Sequence, residues 1–360
     1  MSKAWSLSLT ALCCMGAVAR AQEPPNPAAP PQGPRLSGFV DLYAAYNSDR
    51  PADHTNFGPT AGTVARHEGE LALNLAALEL RRAAAPVGFD LVLASGDELE
   101  VLHSGESQGT RDALRFVYQA SVGYQTTLGR GLRVDAGIYP SHIGFESALT
   151  RDNWSYTHSW LGVYSPFYQA GVKLSYPFTD HLTGELHVLN GWQIVGDNNR
   201  GKSVGTRLAW TYDDWSLAVN TFLGPELPNN SSSLRSLLDL VGTAKLSPRW
   251  QVAVEAYRGA QQYPDAPDGS WFGVGVWGRF AATGRQSLTL RLEHFRDDGS
   301  ISGTDQRLRE ATLTWDVRLH PSLLVRAEAR RDLSTAEVFP AGIGNVRGQT
   351  LLVLSALAAF

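Results

Sequence analysis

Three glycines have the spacing of a dinucleotide-binding loop. Gly273, Gly275 and Gly278 read G-x-G-x-x-G, and at a strand-to-helix turn such a loop lets the backbone approach a pyrophosphate. This motif lies within a predicted strand, however, and no helix pattern follows it. Glycine inside a strand is typical of a bend or of room for a neighbouring aromatic ring. We therefore predict a strand here and no cofactor.

A serine, two histidines and two acids could support hydrolysis. They are Ser141, His142, Glu146, Asp152 and His158, which lie in one predicted loop. A catalytic triad needs a nucleophile and a base held by a third group, but no G-x-S-x-G elbow accompanies these residues. The His-x-x-x-His spacing of a metal site is absent too. We expect solvated loop residues and no enzyme.

Two pairs of adjacent carboxylates have a simpler explanation than acid–base chemistry. Asp213 and Asp214 lie between two predicted strands, and Asp297 and Asp298 run into Gly299. Aspartate and glycine are the residues that tight turns favour. We predict that both pairs form turns.

The first 21 residues have the pattern of a secretory signal. Lys3 is followed by the apolar run of residues 4–18 and by Ala19-Arg20-Ala21, which are the n-region, h-region and cleavage motif. Both cysteines, Cys13 and Cys14, lie in this segment, so we expect a mature chain without disulfides. Residues 22–36 are Pro-rich and cannot pair in a sheet, and we predict an extended periplasmic tail or a plain disordered leader.

Composition narrows the class of the mature protein. Loss of Lys3 and Arg20 leaves 29 of the 31 basic residues against 35 acidic ones, a net charge of −6, which argues against a nucleic-acid partner. After the signal, no apolar stretch reaches the roughly 18–20 residues of a spanning helix. Abundant glycine and aromatic residues beside 18% charged residues favour an all-β fold.

From residue 37 onward, segments of roughly ten residues alternate apolar and polar side chains, which is the pattern of strands with two different environments. Leu288, Leu290 and Leu292, for example, alternate with Thr289, Arg291 and Glu293. We count sixteen such segments: 37–47, 69–82, 87–97, 114–126, 131–140, 166–177, 181–191, 202–212, 215–223, 236–246, 249–258, 270–282, 285–296, 308–319, 322–331 and 348–360.

Short and long connections alternate between these segments. Tight links such as 83–86, 178–180 and 213–214 take turns with long ones such as 48–68 and 141–165. Outer-membrane barrels have this rhythm, with short periplasmic turns and long extracellular loops. The chain also ends on an aromatic residue, Phe360. We predict a transmembrane antiparallel β-barrel of about sixteen strands over residues 37–360, wide enough to hold water.

Several stretches resemble a known family. They are residues 137–146 (GIYPSHIGFE), 151–155 (RDNWS), 165–171 (SPFYQAG) and 190–192 (NGW), together with the opening strand 37–46. These resemble the OmpL-like β-barrel porins, outer-membrane proteins of Gram-negative bacteria. The resemblance covers the first 210 residues and implies a porin fold and passive transport, with no catalytic residues.

The loop 141–165 is the main candidate for a constriction, because one long loop folded into the lumen is a common way to narrow a channel. Its candidate residues are Glu146, Arg151 and Asp152. The alternative is an ordinary surface loop. A structure with this loop wholly outside the rim would rule out the constriction.

Charged residues at inward positions are expected to line the pore and set its selectivity. They form either an arginine ladder that faces acids or a network that only stiffens the barrel, and a register error of one residue would turn them outward. By alternation they are Asp41, Asp90, Arg115, Arg133, Asp135, Glu185, Arg207, Glu255, Arg291, Glu293, Glu310, Asp316, Arg318, Arg326, Glu328 and Arg330.

The sequence thus predicts an outer-membrane porin for passive diffusion of ions and small hydrophilic solutes. Its expected partners are outer-membrane lipid, these solutes and the outer-membrane assembly machinery, and a homotrimer is the usual assembly of general porins. The alternatives are a barrel enzyme of the lipase or protease type and a secreted all-β adhesin. The sequence does not reveal the solute, gating or the oligomeric state.

Overall fold

The computed structural model describes residues 33–57 and 64–360. The predicted signal and most of the predicted tail lie outside this part of the chain. Within it, sixteen strands pair antiparallel, each with its neighbour in sequence, and the last pairs with the first to close a barrel. The predicted fold class is therefore confirmed. The first strand begins at Arg35, two residues earlier than expected.

Every predicted segment corresponds to one barrel strand, and its bounds agree to within three residues. Two further short strands, β16 (Phe339–Pro340) and β17 (Asn345–Val346), form a separate small sheet in a loop. The barrel strands are β1 (Arg35–Asn47), β2 (Leu71–Arg82), β3 (Val87–Ser95), β4 (Val117–Gln125), β5 (Arg133–Pro140), β6 (Tyr168–Pro177), β7 (Leu182–Leu189), β8 (Ser203–Tyr212), β9 (Trp215–Pro225), β10 (Leu234–Lys245), β11 (Trp250–Gln261), β12 (Gly269–Thr283), β13 (Gln286–Asp298), β14 (Asp305–His320), β15 (Leu323–Ser334) and β18 (Gly348–Ala359).

The connections divide the barrel into a short-turn end and a long-loop end, as predicted. Asp213 and Asp214 form the whole turn between β8 and β9, and Asp213 adopts a positive φ of 46°. The long-loop end carries α1 (Asp97–Leu102), α2 (Gln108–Ala113), a 3₁₀ turn (Thr150–Asp152), α3 (Trp160–Val163), β16 (Phe339–Pro340) and β17 (Asn345–Val346). In the part of the chain that the structure describes, no helix has the length and apolar character to cross a membrane.

The outer face of the barrel is apolar and its inner face is polar. In β13 the outward Leu288, Leu290 and Leu292 are 39%, 47% and 50% exposed in the isolated chain. Arg291 and Glu293, which alternate with them, are buried inside. A strand between hydrocarbon and a polar interior must alternate in this way.

Aromatic side chains form a belt on the outer face near the short-turn end. Trp210 and Tyr212 stack with ring centroids 6.0 Å apart, and Trp215 follows directly across the turn. Aromatic girdles mark the interface between membrane and water in outer-membrane barrels. The exposed members of this belt are Tyr124, Phe178, Trp210, Tyr212, Trp215 and Trp250.

Closure of the barrel involves the carboxy-terminal residue itself. The Phe360 backbone exchanges hydrogen bonds of 3.2 and 3.0 Å with Gly38, next to the pairing of Phe39 with Ala359. A Cβ at position 38 would lie 2.7 Å from the Phe360 ring. The Ala77 carbonyl oxygen would also lie 2.7 Å from that Cβ, and because it is fixed in the strand ladder, glycine is favoured at position 38.

A charged side chain on the outer face should lower the stability of the barrel most at the middle of the membrane. We expect Leu290→Arg to lower the free energy of unfolding in lipid vesicles by about 2–4 kcal/mol, because the guanidinium would face the hydrocarbon centre. Leu319→Arg is the matched control, since Leu319 is 58% exposed at the short-turn end of β14 and should cost about 0–1 kcal/mol. Denaturant titration of the refolded barrels measures both free energies. Equal losses of stability in the two variants would contradict the placement of Leu290 at mid-depth and of Leu319 near the membrane surface.

Candidate functional site

The loop of residues 141–167, called L3 from here on, crosses the interior of the barrel. After leaving β5, its backbone binds carboxylates on the opposite wall. The Gly144 amide donates to Asp239 Oδ2 on β10 at 2.9 Å, and the Phe145 amide donates to Glu255 Oε2 on β11 at 2.9 Å. L3 therefore lies within the lumen at this point.

Two further wall carboxylates each bind a pair of consecutive loop amides. Glu328 on β15 accepts from the amides of residues 156 and 157 at 2.6 and 3.0 Å. Glu293 on β13 accepts from those of residues 160 and 161 at 2.8 and 3.1 Å. Buried backbone amides need hydrogen-bond acceptors, so these two side chains fix the path of a loop segment that has no strand partner.

Guanidinium groups on the same wall bind the loop carbonyls. Arg291 and Arg330 donate to the carbonyls of residues 157 and 158, each at 2.5 Å. Arg326 donates to the carbonyl of residue 153 at 2.6 Å. The wall thus supplies acceptors for loop N–H groups and donors for loop C=O groups, which is what a buried irregular segment requires.

Glu146 is the loop residue that forms an ion pair with this wall. Its Oε1 lies 2.9 Å from Arg291 Nη1, and Arg291 also pairs with Glu310 through a contact of 2.9 Å. Burial raises the pKa of the Glu146 carboxyl, but Arg291, His158 and the Ser159 hydrogen bonds outweigh it and hold the pKa below the usual range. Glu146 is therefore ionised at neutral pH, and its contribution to stability is lost only as the pH falls through the folded-state pKa.

Arg151 and Asp152 lie on the other side of L3. Arg151 pairs with Glu79 on β2, and its guanidinium lies 4.5 Å from the centre of the Phe39 ring. The Asp152 side chain is 38% exposed. Of the three residues predicted for a constriction, Glu146 is held against β13 and Arg151 by β2, whereas Asp152 is partly exposed, with its Oδ2 3.8 Å from Arg151 Nε.

Aromatic side chains from several loops cover L3. Trp160 in α3 packs on Tyr164 with ring centroids 5.9 Å apart. The ring of Phe339 in β16 lies 5.9 Å from Trp160, and that of Phe57 lies 6.2 Å away. The long-loop end thus holds a packed apolar cluster above the charged wall.

The G-x-G-x-x-G motif lies within β12, as predicted, and a turn follows it instead of a helix. A Cβ at Gly273 would lie 3.0 Å from Leu161 Cγ in L3, and one at Gly275 would lie 2.7 Å from the Trp277 ring. These two glycines make room for the loop and for an aromatic ring.

The histidines that suggested hydrolysis bind polar groups of the protein. His142 Nδ1 lies 2.8 Å from Gln169 Oε1, and its Nε2 lies 2.9 Å from the Thr221 carbonyl. His158 Nε2 lies 2.9 Å from the Ser147 carbonyl. Burial lowers the pKa of His158 more than the nearby Glu146 raises it. Both rings are buried, so the prediction of solvated loop residues was wrong. His142 joins L3 to β6 and β9, and His158 joins two parts of L3.

Fifteen of the residues predicted to line the pore lie on strands, at inward positions. Those that are buried are Asp41, Asp135, Glu255, Arg291, Glu293, Glu310, Asp316, Arg326, Glu328 and Arg330. Those that are partly accessible are Asp90, Arg133, Glu185, Arg207 and Arg318.

Arg115 is the exception, and its placement on a strand was wrong. It is exposed, with its guanidinium 5.1 Å from the centre of the Phe116 ring. The reason is local, since α2 continues to Ala113 and Leu114 caps it. The next strand therefore begins only at Val117.

Several inward charges were missed by sequence reasoning. Asp239 binds L3, and it lies between Leu238 and Leu240, which are 50% and 43% exposed on the outer face. The alternation that identified the other positions was therefore present here too. The missed inward residues also include Glu79, Lys173, Arg279 and Asp332.

A closed antiparallel barrel with an apolar outside, a charged inside and a long loop folded inward has the architecture of the outer-membrane porins. The model of the family described as "Putative beta-barrel porin-2, OmpL-like" matches residues 34–360. The chain belongs to this family, which confirms the resemblance seen in the sequence. It is an outer-membrane channel for passive diffusion of ions and small hydrophilic solutes.

Solved porin structures share the fold at low sequence identity. The anion-selective porin from Comamonas acidovorans superposes with a TM-score of 0.60 and 12% identity, over 91% of this chain and 99% of that chain. The outer membrane channel DcaP of Acinetobacter baumannii gives 0.60 and 12%, over 91% and 97%. OmpT, an outer membrane protein of Vibrio cholerae, gives 0.58 and 11%, over 91% and 97%. No curated protein is significantly similar in sequence.

Removing a wall carboxylate should release L3 without opening the barrel. In Glu328→Ala two buried loop amides lose their acceptor, which costs about 1–3 kcal/mol for each unsatisfied group, while the strand ladder is unchanged. We expect limited proteolysis to cut within residues 141–167 of this variant and not of the wild type. Glu337→Ala is the control, because Glu337 pairs with Arg347 on the surface. Resistance of the Glu328 variant would mean that the wall does not hold the loop.

Proposed function

We propose that solutes cross the barrel along the wall formed by β2–β8, and that L3 narrows the channel from the opposite side. The support is the distribution of water-accessible side chains. On the wall that binds L3, the side chains of Arg291 and Glu310 are both 0% exposed. On the other wall, those of Arg81 and Asp90 are 39% and 21% exposed, as an open path there requires.

The same accessible wall favours anions. Arg133 and Lys173 both pair with Asp135 at 2.8 and 3.6 Å, and this carboxylate is only 7% exposed while the two cations are 19% and 16% exposed. Carboxylates beneath their cationic partners are screened from a passing ion, whereas the cations face the water. Glu79 is hidden in the same way, at 6% exposure beside Arg81 and Arg151.

The observation that carries the proposal is therefore an excess of accessible cations over accessible carboxylates. At inward positions of β2–β8 and in L3, the accessible carboxylates are Asp90, Asp152 and Glu185, and the accessible cations are Arg81, Arg133, Arg151, Lys173 and Arg207. Rings of arginine and lysine select anions in pores. A solved porin with the same fold is described as anion-selective.

We propose that transport involves no catalytic step. His142 and His158, the two candidate bases, are committed to hydrogen bonds that hold L3. A general base must lie within hydrogen-bond reach of the proton that it takes, and a ring that anchors a buried loop serves a structural purpose.

The remaining expectations on export and assembly stay proposals. We propose that residues 1–21 are a signal that is removed, that the Pro-rich segment before β1 is a periplasmic tail, and that the assembly machinery inserts the barrel into the outer membrane. We further propose a homotrimer, because one solved structure of OmpT is described as a trimer form.

Reversal potential under a salt gradient tests the selectivity. We expect the refolded wild type to prefer chloride over potassium in a planar bilayer. The double variant Arg133→Gln with Lys173→Gln should shift the reversal potential towards cations, because Asp135 then faces the channel unpaired. Arg82→Gln is the matched control, since Arg82 is exposed on the outer face at the short-turn end. A cation-selective wild type, or an equal shift in the control, would overturn the proposal.

A further inference from the structure

Basic side chains gather on the outer face of the barrel near the long-loop end. The residues at outward positions on β13, β14 and β15 alternate with buried ones, so their side chains point away from the lumen. Nearer to the short-turn end, the same face of these strands is apolar, as Leu290, Leu313 and Trp315 show. The group, called the outer basic patch from here on, consists of His294, Arg296, Arg307, Arg309 and Arg331.

The strand register brings these charges face to face. Arg296 lies directly opposite Arg307, and His294 lies directly opposite Arg309. Cross-strand neighbours are about 4.5–5.5 Å apart at Cβ, and like charges in such positions destabilise the pairing. An anion between the groups would offset this repulsion.

The protein itself supplies no such anion at hydrogen-bond range. Within residues 33–57 and 64–360, no carboxylate oxygen lies within 4.0 Å of the patch cations. Asp298 and Asp305 face each other one row nearer to the loops, and Asp298 accepts from the Ser270 amide at 2.6 Å. Arg331 donates to the Thr350 hydroxyl at 2.9 Å, which leaves its charge unneutralised.

A depression lies directly beside the patch. It has a volume of about 460 Å³ and is lined by the outward side chains of Val274, Val276, Leu292, His294 and Arg309, and by Glu293 and Glu310, whose side chains are buried on the lumen side. A ligand at this position meets cations at one end and aliphatic side chains at the other. This is the shape of a lipid with an anionic headgroup.

We propose that the outer basic patch binds the phosphate groups of an outer-leaflet lipid of the lipid A type, one acyl chain of which lies in the neighbouring depression. Long loops of such barrels are extracellular, so the patch is at the height of the headgroups in that leaflet. Arginine matches phosphate oxygens with two parallel hydrogen bonds. A bound phosphate also relieves the repulsion between Arg296 and Arg307.

Lipid retention by the intact barrel tests the proposal. The refolded protein in detergent is mixed with bisphosphorylated lipid A or with lipid A freed of phosphate, and native mass spectrometry counts the lipids retained. We expect the phosphorylated form to be retained on the order of tenfold more strongly, because basic side chains near the membrane surface attract anionic headgroups. Inorganic phosphate at millimolar concentration should not displace it, since it lacks an acyl chain.

Three variants complete the test. Arg296→Gln with Arg309→Gln should lose the preference for phosphorylated lipid, whereas Arg296→Lys with Arg309→Lys should keep most of it and shows that the barrel tolerates changes there. Arg82→Gln, at the opposite end of the outer face, should bind like the wild type. Undiminished retention in the Gln double variant, equal retention of dephosphorylated lipid, or displacement by inorganic phosphate would each overturn the proposal.

Discussion

The closed hydrogen-bond ladder is the constraint on which the rest of this structure depends. In hydrocarbon each unpaired backbone group costs several kcal/mol, so strands can cross only if the first and the last also pair. Here β1 pairs with β18 from Phe39 to Asn47, and the Phe360 backbone extends the seam to Gly38. Closure leaves one face of every strand to lipid and the other to the lumen, which explains why leucine and charged residues alternate along β13.

Closure also leaves a wide lumen, part of which L3 occupies. A barrel of about sixteen strands is too wide for its own side chains to fill, and a loop that enters it brings backbone groups without strand partners. The wall supplies acceptors for these groups, such as Glu293 and Glu328, and donors, such as Arg291 and Arg330. On one side of the lumen the charged side chains thus bind L3, whereas on the other side the charged side chains remain accessible to water.

The sequence predicts the barrel well because alternation and turn chemistry are local signals. Each of the sixteen segments became a strand, and Asp213 and Asp214 became a turn. The turn predicted at Asp297 and Asp298 was wrong, since these residues end β13. Arg115 shows the limit, since a short helix delayed the start of its strand by three residues. The partners within L3 were beyond reach, because contacts such as Glu146 with Arg291 join residues far apart in sequence, and nothing local encodes which wall a loop will bind.

The central claim is that L3 borders the conducting path, and a single cysteine tests it most directly. The chain from residue 22 onward contains no cysteine, and the Asp152 side chain is 38% exposed. In Asp152→Cys, a charged thiol reagent added during single-channel recording should reduce the conductance in a stepwise and irreversible manner, with no effect on the wild type. An unchanged current after labelling confirmed by mass spectrometry would contradict the account.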